Sequence, residues 1–244
     1  MKKWINLHVV VIFLLIVATI VFVFGFNSVE DWIYEVWPYQ VGMRATYDLP
    51  AITFQFLKIA IIASISSIVA GIFLGVLAST KVGYNYRLIV EKLAMIAQSI
   101  PAMAVLMFGL AAFGIGLKAA VFALLMQSLL PTVFSTMAGL ENVPESYIDV
   151  GRGLGMTPLQ ILLKVQMPLA LPVILSGART AVIICISSAT LAFSTGAGGL
   201  GLLIQNGAST YNSVYIFEGT VPIALIAIIA DQVLREFEKR AYRV

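Results

Sequence analysis

The sequence predicts an all-α integral membrane protein with about six transmembrane helices. Of its 244 residues, 60% are hydrophobic and 11% are charged, whereas soluble globular chains carry about 25% charged residues. The apolar residues form long uninterrupted runs, and a helix needs about 20 of them to cross a hydrocarbon layer about 30 Å thick. A membrane β-barrel would instead show short segments of alternating hydrophobicity. Because few polar residues remain outside the runs, we expect one transmembrane domain over residues 1–244.

Six stretches are long and apolar enough to span a membrane: about 7–26, 52–78, 93–114, 117–140, 172–195 and 213–234. The first follows Lys2 and Lys3, as the core of a signal peptide would. It is longer than the roughly 7–15 residues of a signal core, and no Ala-x-Ala cleavage site follows it. We therefore expect a retained N-terminal helix at about 7–26, followed by a core of five spans over about 52–234.

Small residues and prolines within the spans predict how the helices pack. Gly71 and Gly75 form a Gly-x-x-x-Gly pair in the second span, a pattern that lets two helix backbones approach closely. Pro101 and Pro131 fall inside the third and fourth spans, where proline should kink a helix. The single cysteine, Cys185, lies in an apolar run, and we expect it to be a small buried residue.

The distribution of Lys and Arg predicts the orientation, because connecting segments rich in these residues stay cytoplasmic. With a cytoplasmic N-terminus, eleven fall in inside segments: Lys2, Lys3, Lys81, Arg87, Lys92, Arg152, Lys164, Arg235, Lys239, Arg240 and Arg243. Outside segments contain only Arg44 and Lys118. We therefore expect both termini in the cytoplasm. Since these cations flank apolar runs, the net charge of +3 does not indicate a nucleic acid partner.

The connection over 144–168 is the longest polar interruption of the apolar pattern, and it predicts two helices joined by a glycine. Pro144 is suited to the first turn of a helix, and Gly155 to the left-handed conformation that ends one. Thr157 and Gln160 then form a capping box for a second helix. We expect Pro168 to end that helix before the fifth span begins.

Two interpretations of this segment remain open. It is either a docking surface for a soluble partner or an interfacial helix pair that rests on lipid. Its only cations are Arg152 and Lys164, so attraction to anionic lipid is weak, and docking is favoured.

The segment resembles the cytoplasmic signature of type I ABC importer permeases: Glu-Ala-Ala, three residues, Gly, nine residues, then Ile-x-Leu-Pro. The matching positions here are Asp149, Val150, Gly151, Gly155, Val165, Met167 and Pro168. The spacing from glycine to proline is intact, while the other positions differ conservatively. The stretches 152–157, 168–174, 177–180 and 196–201 resemble the osmoprotectant branch of that family, which imports glycine betaine, choline, carnitine or related quaternary amines.

The resemblance implies a type I ABC importer permease fold with a cytoplasmic coupling helix, in the bacterial cytoplasmic (inner) membrane. It also implies that the signature residues couple to a separate ABC ATPase dimer, which binds the ATP. The chain would have no catalytic residue and no cofactor or metal of its own, and its sequence contains no Gly-x-x-x-x-Gly-Lys-Ser/Thr phosphate loop. The other implied partners are an extracytoplasmic substrate-binding protein and a second copy of this permease or a related one.

Ionisable residues are costly inside spans and are candidates for function. Arg179 in the fifth span and Asp231 in the sixth lie at comparable depths, and we expect them to form an interhelical ion pair. Five hydroxyl residues near the end of the fifth span are candidates for lining the solute pathway: Ser187, Ser188, Thr190, Ser194 and Thr195. Alternatively, these hydroxyls bond back to helical carbonyls. The glycine-rich stretch 196–201 is interpreted as a turn or a short re-entrant element near the outer gate.

Other functions remain as alternatives. Within the family, the solute could be methionine or another small molecule. A self-contained channel or secondary transporter would need its own coupling-ion site and normally an internal repeat, and neither is visible in the sequence. A membrane enzyme is disfavoured because no catalytic constellation is present in the sequence.

Overall fold

The computed structural model describes residues 10–25, 35, 47–80 and 87–242, and this part of the chain contains helices and turns but no strand. The all-α prediction is therefore confirmed. The α-helices are α1 (Val10–Gly25), α2 (Leu49–Ser79), α3 (Arg87–Ser99), α4 (Ala102–Phe113), α5 (Leu117–Glu141), α6 (Glu145–Gly153), α7 (Pro158–Ile161), α8 (Met167–Ala189), α9 (Gly201–Thr210) and α10 (Ser213–Ala241).

Among the described residues, four helical runs are long and apolar enough to cross a membrane. They are α2, α5, the continuous run Pro158–Ala189 that ends in α8, and α10. A fifth crossing results if α3 and α4 together form one broken span. Helix α1 covers most of the first predicted span but is shorter, and residues 7–9 and 26 of that prediction lie outside the described part.

The third predicted span, about 93–114, is two helices rather than one kinked helix. The axes of α3 and α4 differ by 101°. Pro101 adopts an extended conformation with ψ 135°, and its missing N–H leaves a helical carbonyl without a partner. The carboxamide of Gln127 on α5 donates to the carbonyl of Ile100 at 2.8 Å, which stabilises the break. Pro131, by contrast, lies within α5, which continues through it.

The predicted boundaries of the fifth span are also wrong, because Pro168 does not end the helix before it. Pro158–Ala189 is one helical run that includes a π-helical turn at Leu162–Gln166. In this wider turn the N–H of Met167 bonds to the carbonyl of Leu162, five residues back. The change in hydrogen-bond register falls immediately before Pro168, so the proline is accommodated inside the helix. The α-helix then stops at Ala189, and Ala192–Thr195 forms a separate 3₁₀ turn.

Small residues bring α2, α5 and α8 into close contact. A Cβ added to Gly71 or Gly75 of α2 would lie 2.6 Å from Thr132 Cβ or 2.5 Å from Thr136 Cβ of α5, respectively. Such distances are well inside van der Waals contact, so the packing interpretation of the Gly-x-x-x-Gly pair is confirmed. Cys185 of α8 is fully buried, as predicted, and its thiol lies 3.0 Å from Ser128 Oγ.

The two ends of the helix bundle are different. The end at which α5 stops and the run Pro158–Ala189 begins carries α6 and α7, and we call it the hairpin end. The opposite end carries the stretch 196–201, and we call it the glycine end. There the N–H of Gly116 donates to the carbonyl of Thr195 at 2.8 Å, and Asn206 Nδ2 donates to Tyr47 Oη at 2.6 Å.

Candidate functional site

At the hairpin end, α6 is closed by a Schellman motif. The N–H of Met156 donates to the carbonyl of Gly151 at 3.0 Å, and the N–H of Gly155 donates to that of Arg152 at 2.9 Å. Gly155 has φ +74°, a conformation that residues with a Cβ adopt only at a cost. The predicted left-handed glycine is therefore confirmed. Helix α6 begins at Glu145, so Pro144 precedes the helix instead of lying in its first turn.

Helix α7 begins at the predicted capping box, which is also confirmed. Thr157 Oγ1 accepts from the N–H of Gln160 at 3.3 Å, and Gln160 Oε1 accepts from the N–H of Thr157 at 2.9 Å. Two N–H groups at the start of the helix are satisfied by these reciprocal bonds. The chain therefore leaves Gly155 and enters the next helix in a defined direction.

The helices α6 and α7 contact each other through Gly151. A Cβ at this position would lie 3.2 Å from Ile161 Cγ1 and 3.6 Å from Met156 Sδ. Gly151 and Ile161 are buried, although most of the surrounding segment is exposed. A small residue at position 151 thus permits the close packing that holds α6, α7 and the turn between them together; we call this unit the hairpin.

The hairpin and the π turn that follows it present exposed apolar side chains, which we call the docking patch. Its five members are each more than half exposed: Tyr147, Val150, Leu154, Leu159 and Leu163. Exposed charged groups lie beside it, including Asp149, whose carboxylate accepts from Arg152 at 2.8 Å. Exposed apolar side chains with a polar rim mark protein or membrane interaction sites.

The remaining signature positions differ in their surroundings. Asp149 and Val150 are exposed on α6. Val165 is half-buried in the π turn, and Met167 packs against the cluster formed by Leu140, Ala170 and Ile174. Pro168 is exposed within the helix. Residues 149–168 therefore combine an exposed part on the hairpin with a part that anchors it to the bundle.

The structure brings Arg179 and Asp231 together and adds a third member that the sequence did not reveal. Arg179 Nε lies 2.7 Å from Asp231 Oδ1, and Arg179 Nη1 lies 3.3 Å from Glu238 Oε2. Glu238 lies seven residues after Asp231, about two helical turns along α10. The spacing of the two acidic residues could have revealed Glu238 as a second partner of Arg179. The sixth span was expected to end at about 234, before Glu238.

A second ion pair at the hairpin end was not predicted. Arg87, the first residue of α3, makes a two-pronged contact with Glu141, the last residue of α5. Its Nε also lies 2.8 Å from Glu91 on its own helix. This contact ties α3 to the point from which the chain enters the hairpin.

The five hydroxyl residues proposed for the pathway do not share one environment. Thr190, Ser194 and Thr195 each donate to a backbone carbonyl three residues earlier, at 2.7–2.8 Å. Thr195 is 1% exposed, so it does not line an accessible path in this structure. Ser187 is exposed and Ser188 is partly buried, both near the end of α8.

The glycine-rich stretch forms a tight turn between the 3₁₀ turn and α9. Gly196, Gly198 and Gly199 all have positive φ. A Cβ at Gly201 would overlap the carbonyl oxygen of Thr190 and lie 2.6 Å from its carbon. Both the backbone conformation and the lack of space therefore require glycine at this end of the bundle.

The described part of the chain is a bundle of apolar spans with an exposed, partly apolar hairpin at one end, which is the architecture of a multi-pass membrane protein. Residues 67–242 match the family described as the binding-protein-dependent transport system inner membrane component. The chain belongs to this family. It is the transmembrane permease subunit of an ATP-driven ABC importer and a multi-pass protein of the inner membrane.

Named relatives extend the comparison. The choline transport system permease protein OpuBB of Bacillus subtilis is 36% identical over 188 residues, which cover 77% of this chain and 86% of OpuBB. The glycine betaine/carnitine/choline transport system permease protein OpuCB of the same organism has the same identity and coverage. The osmoprotectant import permease protein OsmW of Salmonella typhimurium is 37% identical over 198 residues, which cover 78% of this chain and 90% of OsmW.

Solved structures agree with the fold. A chain of the MetNI methionine ABC transporter, in an inward-facing conformation, superposes with a TM-score of 0.67 at 26% identity. The match covers 77% of this chain and 93% of the MetNI chain. An amino acid ABC transporter matches with a TM-score of 0.61 at 22% identity, over 78% of this chain and 92% of that one, which supports the fold alone.

Proposed function

We propose that this permease imports an osmoprotectant with a quaternary ammonium group, such as glycine betaine, choline or carnitine. The observation that carries this proposal is the 36–37% identity, over more than three quarters of the chain, to permeases named for these solutes. Ser187, Ser188, Thr190 and Ser194, which retain some exposure, are the proposed lining of the pathway. Because no group in this role carries a charge, selection among solutes falls mainly to the extracytoplasmic binding protein.

The hairpin is the proposed docking site of the ABC ATPase, with the hairpin end in the cytoplasm. The excess of Lys and Arg in the segments assigned to that side supports the orientation, and both termini then lie in the cytoplasm. The docking patch supplies apolar area, while Asp149 and Arg152 supply a charged rim. Nucleotide-driven closure of an ATPase dimer would move two such hairpins, one from each of two permease subunits, and so change the state of the spans.

Methionine is the second candidate solute because the MetNI chain has the same fold. The identity to that chain is 26%, well below the 36–37% shared with the choline and osmoprotectant permeases. The quaternary ammonium solutes are therefore the better-supported class.

Uptake by the reconstituted importer tests the proposed solute. The permease, its ATPase and its binding protein are placed in liposomes loaded with ATP, and entry of radiolabelled glycine betaine, choline and carnitine is measured. We expect ATP-dependent entry of at least one of them and none of methionine. Uptake of methionine alone would refute the proposed solute class, and uptake without ATP would indicate a self-contained transporter.

A single exposed leucine tests the docking site. Leu154→Ser removes apolar area from the docking patch without leaving a cavity, because Leu154 is 71% exposed. We expect at least about tenfold weaker retention of the ATPase in pull-downs from mild detergent, since a central interface residue can contribute about 2 kcal/mol. The matched control is Ile115→Ser at the glycine end, where the side chain is also strongly exposed. Equal retention by both variants would contradict the assignment.

A further inference from the structure

We propose that Arg179, Asp231 and Glu238 form a clamp that transmits movement of the hairpin to α10. This inference rests on the proposed docking of the ATPase on the hairpin. It assigns a positioning role in coupling to three side chains, one of which, Glu238, lies outside the part of α10 that its apolar pattern marks as a span.

The helix that carries Arg179 is continuous with the hairpin. Pro158–Ala189 runs without interruption from the hairpin into the bundle, and the π turn keeps its own hydrogen bond from Met167 to Leu162. A displacement applied to α7 therefore reaches Arg179 through backbone hydrogen bonds. No loop lies between the docking-patch residues Leu159 and Leu163 and the guanidinium.

Arg179 makes two separate contacts on α10. Arg179 bonds to carboxylates that lie about two turns apart on α10, at 2.7 Å to Asp231 and 3.3 Å to Glu238. A single contact would let one helix pivot about it. Two contacts on opposite sides of the guanidinium oppose sliding in both directions, because either shift lengthens one of the bonds.

The three charged side chains are partly buried. The Arg179 and Asp231 side chains are 29% exposed and that of Glu238 is 18% exposed. Leaving one charged partner alone in a partly desolvated site is costly, so the three side chains are held together during movement. The neighbouring Glu236 instead lies 3.4 Å from Arg240 on its own helix. That contact does not join α10 to another helix.

The coupling ratio of the reconstituted importer tests the clamp. Solute moved per ATP hydrolysed is measured for wild type, Glu238→Gln and Asp231→Asn. We expect the ratio to fall about fivefold or more in each variant, the lower end of typical coupling effects, while ATP hydrolysis continues.

The matched control is Glu236→Gln, which removes the same charge two residues away and should leave the ratio unchanged. A purely structural role would lower the yield or the thermal stability of the complex without changing the ratio. An unchanged ratio in both Glu238→Gln and Asp231→Asn would overturn the proposal.

A distance measurement tests the clamp without depending on the identity of the solute. Spin labels are attached to cysteines introduced at Ser146 on the hairpin and Tyr242 after α10, both exposed, while the native Cys185 is fully buried. In wild type bound to its ATPase, we expect the label distance to stay constant on ATP binding, because the hairpin and α10 move together. In Glu238→Gln it should change.

A distance that changes in wild type would overturn the clamp. A wild-type complex that hydrolyses ATP but takes up none of the quaternary ammonium solutes would refute the proposed solute. The distance between the two spin labels would still test the clamp in that case.

Discussion

The hairpin end and the glycine end both depend on glycines with positive φ, but for different physical reasons. At the hairpin end, Gly155 has φ +74° and open space where a Cβ would lie. At the glycine end, Gly199 has φ +95°, and a Cβ there would lie 3.5 Å from Phe56. Among the described residues, none covers the first turn, whereas Phe56 packs against the second. An uncovered but well-defined turn is suited to be covered by a partner.

The largest expected effect comes from adding a methyl group at the glycine end. In Gly201→Ala the Cβ would overlap the Thr190 carbonyl oxygen, and backbone atoms cannot move aside as a flexible side chain can. We expect a loss of stability at or above the upper end of the about 1–3 kcal/mol range for overpacking, visible as little monodisperse protein after extraction. The control is Gly153→Ala at the hairpin end, where no atom of the described residues lies within 4 Å of the added Cβ. Similar yields for the two variants would mean that the two ends do not differ in packing.

An intermediate effect is expected from Gly155→Val. The space at Gly155 is open, so the cost is conformational, about 1–2 kcal/mol for placing a Cβ in the left-handed region. We expect normal insertion but a sharp fall in solute uptake, because the two hairpin helices lose their defined angle. Gly155→Asn should retain more activity, since Asn tolerates this conformation better. Wild-type uptake by the valine variant would show that the turn does not need its left-handed glycine.

The smallest effect is expected from Thr157→Ala, which removes one of the two bonds of the capping box, the one from the N–H of Gln160 to Thr157 Oγ1. The loss should be about 1 kcal/mol of local helix stability, measured as faster hydrogen exchange of the amides in α7. Thr157→Ser retains the hydroxyl and should exchange at the wild-type rate. If alanine and serine variants exchange alike, the cap observed at 3.3 Å contributes nothing to the hairpin.

The features of the hairpin that were predictable obey local rules. Gly155 and the pair Thr157 and Gln160 act through neighbours within five residues, so the sequence alone reveals them. Local rules did not predict whether a helix would break or continue at each proline. The helix breaks at Pro101 where Gln127 of another helix supplies a hydrogen bond, and it continues through Pro168 because a π turn precedes it.

Tertiary arrangement also decided which charges meet. Arg179 and Asp231 were matched by depth in their spans, which is a property of the sequence. Glu238 was missed because α10 continues to Ala241, beyond the apolar stretch that was expected to contain the span. The exposure of the proposed lining residues was equally hard to predict, because burial of Thr195 depends on helices that are distant in sequence.

The π turn at Leu162–Gln166 makes the hydrogen-bond register of this segment as important as the identity of its residues. Each residue of an α-helix turns the chain by about 100°, and a π turn takes up one more residue than an α turn. If the same residues adopted ordinary α-helical bonding, the hairpin would rotate by about a quarter of a turn relative to the clamp. Every side chain would survive such a change, and the hairpin would still face in the wrong direction.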